Sequence, residues 1–397
     1  MKKSKLFTKL AKNNKRFQKG DHQQGELAAG QKNNNKEEYY SSQWKLIWKK
    51  LKKHKLARVS LVILGLFYFG AIFAGFIAPQ GTQEYDGEYM NAPPMSINFW
   101  DEEGNFHFRP FVYGLASERD PDTYRKYFVE DTNVKYPIRF FVEGTEYKLF
   151  GLLPTNIHLF GVDEPGQIFI MGTDGMGRDL FSRVVLGSQV SLSVPLVGVS
   201  ISLILGLIIG GISGYFGKWI DVIIQRIIEI FRSFPTLPLW MALSASIPPD
   251  IPVVQMYIYI VVIIAFIEWT GLARVVRGQF MSLKNEEYVL AAKIAGVKNA
   301  KIIVKHLLPG IFSYLIVAIT LAIPAMILAE TAMSFLGLGI RSPATSWGVL
   351  LQEAQQIDNV ALYPWKLIPL FFVVISVLCF NFFGDGLRDA ADPYKKV

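Results

Sequence analysis

The sequence predicts an all-α polytopic membrane protein with six transmembrane helices, an N-terminal interfacial helix and a small β-rich extracellular insertion between spans 1 and 2. Three observations predict this fold class. The 397 residues are 51% hydrophobic. Only 19% of them are charged, against about 25% in an average soluble domain. Several apolar stretches are long enough to cross a bilayer, and basic segments lie between them.

The N-terminal region is strongly basic, in a chain whose net charge is +8. Residues 1–38 are rich in Lys, Asn and Gln, and we expect a disordered cytoplasmic tail there. In residues 39–57, Trp44 and Trp48 fall at helical spacing among lysines, which predicts an amphipathic helix on the inner membrane surface. A soluble helix is the alternative. Because a hydrophobic span follows, the positive-inside rule explains the lysines, and no nucleic-acid partner is expected.

Residues 58–78 form the first predicted span, since about 20 residues at 1.5 Å each cover the hydrocarbon core. Residues 79–188 are polar and aromatic with repeated turn sequences, and we expect a small, mostly β extracellular domain. The strand-like runs on either side of residues 143–145 predict a hairpin turn at that point. The single cysteine, Cys379, excludes an intramolecular disulfide.

Residues 189–386 form the predicted transmembrane domain with spans 2 to 6. Gly206, Gly210 and Gly214 follow each other at intervals of four residues, a spacing that lets a neighbouring helix approach closely. Asp221 and Glu229 lie in the third span, where we expect nearby arginines, Arg226 and Arg232, to neutralise them in part. The five predicted helices cover residues 189–214, 219–246 (bent at its prolines), 253–272, 310–329 and 367–383.

Six spans place both termini on the same side of the membrane. The basic N-terminus, the segment 273–309 and the tail 387–397 then lie in the cytoplasm, and the 79–188 domain lies outside. The 273–309 segment is longer than a connection needs. It predicts two short helices separated by Gly296, which form a rigid projection able to dock into a soluble partner. An interfacial helix pair without a partner is the alternative.

Within that projection, the run from Glu287 to Ala292, then Gly296, then His306 to Pro309, resembles the "EAA" loop of ABC importer permeases. The spacing of that loop is kept, while Leu290 stands where the family has glutamate. Three further segments resemble the second, C-type permease subunit of dipeptide, oligopeptide and nickel importers. The resemblance covers roughly residues 55–78 and 170–397, and its three further segments are 172–179, 329–339 with 346–348, and 381–389.

The resemblance implies a transport subunit of a prokaryotic plasma membrane that carries short peptides; nickel or oligosaccharides are the alternative cargoes. It implies four kinds of partner: a homologous second permease, two cytosolic ATPase subunits, an extracellular substrate-binding protein and the lipid membrane. No cofactor, metal site or catalytic residue is expected, and ATP is hydrolysed by the partner subunits. The residues expected to couple to the ATPase are Glu287, Ala291, Ala292, Gly296, His306 and Pro309.

The remaining candidate residues lie toward the outside and within the spans. Gly172, Asp174, Gly177, Arg178 and Asp179 form the outer motif; Arg178 and Asp179 either orient this loop by a salt bridge or contact the binding protein.

Two carboxylates are candidates for the translocation pathway. Glu330 is either a polar group at the pathway or gate, or a helix-end carboxylate hydrogen-bonded to its neighbours. Glu268 is either a pathway carboxylate or the partner of Arg274 or a lipid headgroup.

Two other function classes remain open. A secondary transporter working alone would use the carboxylates of spans 3 and 4 as coupling-ion sites. Alternatively, residues 79–188 would be a membrane-tethered extracellular binding domain and the part of the chain that acts on the ligand.

Overall fold

A computed structural model describes residues 43–248, 251–341 and 343–391. Contacts divide the chain into two units, one with the described residues 43–55 and 386–391 and the other with Leu56–Asp385. Most described residues outside the insertion are helical. In chain order the helices are α1 (Gln43–Lys53), α2 (Lys55–Ile72), α3 (Ala74–Ile77), α4 (Leu180–Phe216), α5 (Lys218–Ser233), α6 (Thr236–Ala245), α7 (Val253–Leu283), α8 (Glu287–Ile294), α9 (Asn299–Ile302), α10 (Leu308–Phe335), α11 (Trp347–Ala354), α12 (Ile357–Leu362) and α13 (Ile368–Ala391).

Five helical segments of the described part of the chain are long and apolar enough to cross a membrane. A π-helical turn, Ile303–Leu307, joins α9 to α10 without interruption, and a 3-10 turn, Pro364–Leu367, leads into α13. The protein is therefore mostly helical and polytopic. The five segments are Lys55–Ile72, Leu180–Phe216, Val253–Leu283, Asn299–Phe335 and Pro364–Ala391.

The predicted single helix over residues 219–246 is wrong, because two helices, α5 and α6, occupy this part of the chain. Phe234 adopts an extended conformation, as residues before a proline do, and Pro235 follows it. At 1.5 Å per residue, α5 and α6 are about 24 Å and 15 Å long, each shorter than a bilayer core. Six spans are thus a proposal that depends on α5 and α6 crossing together.

The observed helices also extend beyond the predicted spans. Helix α4 begins nine residues before position 189, and α7 continues to Leu283, eleven residues past the predicted end. Because α9 runs into α10, only residues 284–298 connect the two long helices, rather than 273–309. Helix α13 reaches Ala391, inside the predicted 387–397 tail. In α7, the helix continues past the predicted end because Arg277 finds a partner in Asp221.

The N-terminal helix is shorter than its predicted range of 39–57. Helix α1 covers Gln43–Lys53, with Trp48 half-exposed and Leu51 buried. The Lys52 Nζ lies 5.6 Å from the centroid of the Trp48 ring. The predicted disordered tail, 1–38, and the last residues of the C-terminal tail lie outside the described residues. The position of α1 at a membrane surface stays a prediction.

The insertion between α3 and α4 is β-rich. Strands β1 (Asn98–Trp100), β2 (Phe106–Arg119) and β3 (Lys126–Pro137) form an antiparallel sheet in the order β1-β2-β3, and β4 (Arg139–Leu149) pairs with β5 (Leu153–Gly161). Within each sheet, consecutive strands are joined by short hairpin connections. A small core fixes this domain, formed by Ala92, Met95, Val112, Ile138, Ile168 and Phe169.

The hairpin turn predicted at 143–145 is wrong. Strand β4 runs through these residues with a register shift between Glu143 and Tyr147. The backbone of Gly144 approaches His158 so closely that a Cβ atom there would lie 2.7 Å from its ring. A glycine in a strand often marks such a bulge or close approach. The turn itself lies at residues 150–152.

Helices α4 and α7 pack with their backbones in contact. A Cβ atom added at Gly206 would lie 2.8 Å from Leu272 Cβ, and one at Gly210 would lie 2.9 Å from Ala273 Cα. One at Gly214 would lie 2.7 Å from the carbonyl oxygen of Arg277. The three glycines therefore lie along the α4–α7 contact, where small residues allow close helix approach.

An acidic residue organises the edge of the three-stranded sheet. Asp101 is buried, with His107 Nε2 3.0 Å and Lys135 Nζ 2.9 Å from its Oδ2. The backbone N–H of Asn105 donates to its other oxygen at 2.8 Å. The His107 and Lys135 contacts hold the pKa of Asp101 well below its usual range.

The Asp101→Asn variant should be less stable than wild type at neutral pH, and the difference should shrink in acid. The folded pKa lies below the unfolded value of about 3.9. The ionised carboxylate therefore stabilises the domain above about pH 4, and this contribution is lost as the pH falls toward the folded pKa. Hydrogen exchange of the β2 and β3 amides between pH 7 and 3 measures it. Asp163→Asn, in an exposed pair with Arg139, is the control; a difference independent of pH contradicts the prediction.

Candidate functional site

The segment between α7 and α10 forms a compact turn of two short helices. Gly296 follows α8 with φ +74°, and its N–H donates to Lys293 O at 3.0 Å. The N–H of Val297 donates to Ala292 O at 3.1 Å. This pair of bonds is a Schellman motif, in which a left-handed residue after the helix is usually glycine. The motif ends α8 sharply and sends the chain back toward the bundle.

One face of this segment is buried against the long helices. Val289, Ile302 and Leu307 are fully buried and pack in one cluster with Val276 and Phe280 of α7. Two polar contacts, from Tyr215 OH to Asn299 Oδ1 (2.7 Å) and from Lys284 Nζ to Gly214 O (3.0 Å), tie the segment to the end of α4. The segment is therefore rigidly attached to α7 and to the end of α4.

The opposite face of the segment is exposed and partly apolar. The side chain of Ile294, at the end of α8, is 88% exposed, and Leu290, one turn earlier on the same face, is also exposed. Exposed apolar side chains that stand together on one element mark interaction sites. Of the residues predicted to couple, Glu287, Ala291, Gly296 and Pro309 are exposed, Ala292 is buried and His306 is half-buried in the π turn.

An ion pair fixes α5 to α7 near this segment. The Arg277 guanidinium donates twice to Asp221, Nε to Oδ1 at 2.5 Å and Nη2 to Oδ2 at 2.6 Å. Arg277 of α7, rather than the predicted Arg226 or Arg232, therefore neutralises Asp221. Arg226 pairs with Glu229 at 2.6 Å on an exposed surface, which confirms the prediction for that carboxylate.

The outer motif is a tight loop that leads into α4. Gly172 and Gly177 have φ of +74° and +82°, and a Cβ at either position would collide with neighbouring backbone. Asp174 Oδ1 accepts hydrogen bonds from the N–H groups of Met176 (2.8 Å) and Arg178 (3.1 Å). Glycine supplies the left-handed conformation at low cost, and the Asp side chain closes the turn.

Four charged side chains join this loop to α11. Arg183 donates to Asp174 Oδ2 at 2.5 Å and to both oxygens of Glu353 at 2.5 and 2.9 Å. Arg178 donates to Asp174 at 2.6 Å and to Glu353 at 3.2 Å. The Arg183 side chain is only 3% exposed. The cluster clamps the start of α4 to α11 and lines a cleft of about 330 Å³.

Asp179 acts as the N-cap of α4. Its carboxylate accepts hydrogen bonds from the N–H groups of Phe181 (3.3 Å) and Ser182 (2.8 Å), while Arg178 forms its salt bridges with Asp174 and Glu353. An Asp N-cap satisfies helix N–H groups that otherwise lack partners. Complete burial raises the pKa of Asp179 to about 6, against the opposing effect of the Ser182 and Phe181 donors.

Glu330 lies inside the bundle, wholly enclosed by this chain. Ser334 Oγ donates to its Oε1 at 2.8 Å, and Ser191 Oγ of α4 lies 3.4 Å from its Oε2. Ser191 Oγ also accepts from the N–H of Trp347, whose indole donates to Val184 O at 3.0 Å. This environment is the one expected of a helix-end carboxylate that is hydrogen-bonded to its neighbours. The same hydrogen bonds hold α11 beside α4 and α10.

Glu268 is half-buried on α7. Arg274 is exposed six residues further along α7. In the described part of the chain these two side chains form no ion pair, so the expected pairing with Arg274 is not observed.

Sequence patterns did not predict the roles of Arg183, Glu353, Arg277 and Ile294. Arg183 lies next to the outer motif, so its position gave a signal. Glu353 and Arg277 gave none, because their partners are 170 and 56 residues away. Ile294 is an apolar residue in a short helix, which by pattern alone is a core position.

The fold and these sites define a helical, multi-spanning membrane permease. Residues 202–397 match the family described as the binding-protein-dependent transport system inner membrane component, and residues 42–94 match the N-terminal TM domain of oligopeptide transport permease C.

Curated relatives extend this match. The oligopeptide transport system permease protein OppC of Haemophilus influenzae is 41% identical over 257 residues, 64% of this chain and 76% of that one. The dipeptide transport system permease protein DppC of Bacillus subtilis is 42% identical over 223 residues, covering 56% and 68%. DppC of Lactococcus lactis subsp. cremoris is 32% identical over 355 residues, covering 87% and 89%.

The chain therefore belongs to the family of oligopeptide and dipeptide ABC permease proteins of the C type, which are multi-pass inner-membrane transport subunits. The match that covers 87% of the chain must extend into residues 80–170. The insertion, which is longer than the loop expected from the family resemblance, is thus shared at least in part with that relative.

Proposed function

We propose that this chain is one of two permease subunits that form the translocation pathway of an ABC importer for short peptides. The names of its relatives, which are oligopeptide and dipeptide permeases, support this cargo. The observation that carries the proposal is the exposed apolar tip of the 284–298 segment, held rigidly between two membrane helices. The other subunits are a homologous permease, two cytosolic ATPases and an extracellular binding protein.

The proposed topology places the 284–298 segment in the cytoplasm. If α5 and α6 together cross the bilayer as a broken third span, six crossings put both termini in the cytoplasm and the β-rich insertion outside. The lysines of α1 and the basic residues near the 284–298 segment then lie inside, as the positive-inside rule requires. The protein would lie in the plasma membrane of a prokaryote.

The proposed mechanism transmits motion from the ATPases through continuous helices. The apolar face of α8 docks into a groove of the ATPase. When the ATPases close on ATP, they displace the 284–298 segment. Helix α7 on one side and the α9–α10 segment on the other carry this displacement into the membrane. Each of them is helical from the 284–298 segment into the membrane, without a flexible loop. Two global states, open to either side, are thereby biased from a distant site.

The outer residues have a supporting role in this proposal. The Asp174–Arg183–Glu353 cluster and the Glu330 network fix the loops at the outer end of the bundle. Glu330 is enclosed by its own chain, so we assign it a structural role rather than a pathway role. Glu268 remains the candidate for a pathway carboxylate, because part of its side chain is accessible.

The Ile294→Asp variant should lose coupling to the ATPase without losing its fold. The 88% exposed side chain makes little contact within the chain, but a charge at the centre of an apolar docking surface is costly. We expect ATP-driven peptide uptake in proteoliposomes to fall by about tenfold or more. Co-purification of the ATPase subunits should be lost in parallel.

Two control variants make this experiment specific. Ile294→Leu keeps the apolar contact and should keep uptake. Ile357→Asp places the same charge at a similarly exposed site on α12 and should keep the ATPase bound. Full uptake by Ile294→Asp would refute docking through this surface. Uptake driven by an ion gradient without ATP would favour a secondary transporter instead.

A further inference from the structure

The turn between β4 and β5 exposes a run of apolar residues. Phe150-Gly-Leu-Leu-Pro154 forms the tip of this hairpin. The side chain of Leu152 is 81% exposed, that of Leu153 is 60% exposed, and Phe150 is also exposed. Surface turns normally consist of Gly, Asn, Asp, Ser and Pro. A contiguous exposed apolar patch therefore calls for a partner.

The backbone of this turn does not explain its apolar residues. Phe150 and Gly151 have φ of +55° and +70°, and the N–H of Leu152 donates to Leu149 O at 3.1 Å. Two successive positive φ values are typical of a type I′ turn, for which Asn-Gly is strongly preferred. A bulky aromatic residue in the left-handed region is strained. The sequence thus keeps an aromatic residue at a position where the turn itself favours Asn.

The hairpin lies against the end of the first span. The Phe150 ring is 5.6 Å from the Phe73 ring, and the Phe141 ring is 6.1 Å from the Phe76 ring. His158 Nδ1 of β5 lies 2.5 Å from the carbonyl oxygen of Ala78, at the end of α3. A Cβ atom at Gly75 would collide with the Tyr147 ring. The tip is therefore held in a fixed position relative to the span.

The tip continues the apolar surface of that span. The Phe73 ring lies 4.7 Å from the Phe69 ring of α2, at a tilted angle of 41°, and Phe69 and Ile72 are exposed on the outer surface of the bundle. Phe73 directly follows Ile72, the last residue of the first long apolar helix. Phe150, whose ring contacts that of Phe73, therefore lies level with this end of the helix. Aromatic residues are enriched where membrane helices meet the interface.

We propose that residues 150–153 insert into the membrane interface of the leaflet on the side of the β-rich domain. The exposed Lys148, two residues before the tip, is placed to reach lipid phosphates. We assign the lipid bilayer as the partner of this apolar patch because the patch is continuous with the exposed face of a membrane-spanning helix. Insertion fixes the β-rich domain to the bilayer at a second point, besides its chain connections, and holds its sheets in one orientation above the bundle.

Site-specific fluorescence tests this proposal on the full chain assembled with its partner subunits in nanodiscs. Cys379→Ala removes the only native thiol, and Leu152→Cys introduces an environment-sensitive fluorophore at the tip. The matched control is Tyr124→Cys, at the exposed tip of the β2–β3 hairpin (78% exposed). Iodide quenches labels in water, and lipids with a nitroxide near the headgroup quench labels at the interface.

Quenching by iodide should be about fivefold weaker at position 152 than at position 124, and strong quenching by the lipid nitroxide should occur at 152 alone. Leu153→Cys should behave as Leu152→Cys does. If iodide reaches positions 152 and 124 equally, the tip is in water and the proposal is wrong. If position 152 is shielded from both quenchers, a protein subunit covers it, and the proposal is also wrong. Neither result depends on transport, so the proposed function is tested separately.

Discussion

Replacing Arg183 with methionine should lower the free energy of unfolding by about 1–3 kcal/mol. Methionine fills a similar volume but removes the guanidinium that Asp174 and Glu353 both contact at 2.5 Å. Arg178 still contacts both carboxylates, at 2.6 and 3.2 Å, but the buried Asp174 loses its shorter arginine contact. Breaking a buried ion pair is strongly destabilising because the remaining charge keeps its desolvation cost.

Unfolding of the purified protein in mixed detergent–SDS micelles measures this loss. The control is Arg226→Met, which removes an ion pair of similar length on an exposed surface and should change stability little. Combining Arg183→Met with Glu353→Gln should cost less than the sum of the two single changes, since the first change has already removed the Arg183 contacts that Glu353 makes. Equal losses from Arg183→Met and Arg226→Met would show that the cluster does not clamp α4 to α11.

The Gly210→Ala variant should be destabilised by about 1–3 kcal/mol, and Gly210→Leu by more. The added Cβ would lie 2.9 Å from Ala273 Cα. Backbone atoms cannot rotate away as a side chain does, so α4 and α7 would have to separate. Separation would also open the neighbouring contacts at Gly206 and Gly214.

Gly278→Ala is the matched control for this prediction. Gly278 lies on α7 itself, and a Cβ atom there would have no neighbour within 4 Å. An alanine in an open helical position restricts the unfolded chain and is expected to be neutral or slightly stabilising. Thermal unfolding in the same lipid mixture compares the two variants. The prediction fails if both glycines tolerate alanine equally.

Patterns that are local in sequence predicted the features whose causes are local. Gly206, Gly210 and Gly214 lie on one face of α4 because residues four apart in an α-helix share a face. In the structure this face packs against α7. Gly296 stands between two short helices because a left-handed residue ends α8. Hydropathy located five long membrane helices for the same reason, since each is a continuous run of apolar residues.

Boundaries and partners depended on residues far away in sequence and were therefore not predicted. Arg277 carries a charge that suggests a loop, yet α7 continues through it because Asp221 on another helix neutralises it. Glu353 gave no pattern, although it holds two arginines from the start of α4. The turn composition of Glu143-Gly-Thr145 predicts the β4–β5 turn at residues 143–145. The observed turn instead contains Phe150 and Leu152.

The glycine face between α4 and α7 limits where this half of the molecule can bend. From Gly206 to Gly214 the two backbones touch over about 12 Å. We therefore expect α4 and α7 to tilt together as one rigid unit, without sliding past each other. If this pair of helices tilts, the chain has to bend at a point where the hydrogen bonding of its backbone is already interrupted. Phe234 and Pro235, between α5 and α6, form such a joint, because proline has no N–H to donate. In the change between two states that we propose for the importer, the α4–α7 pair would be the rigid part and residues 234–235 the hinge.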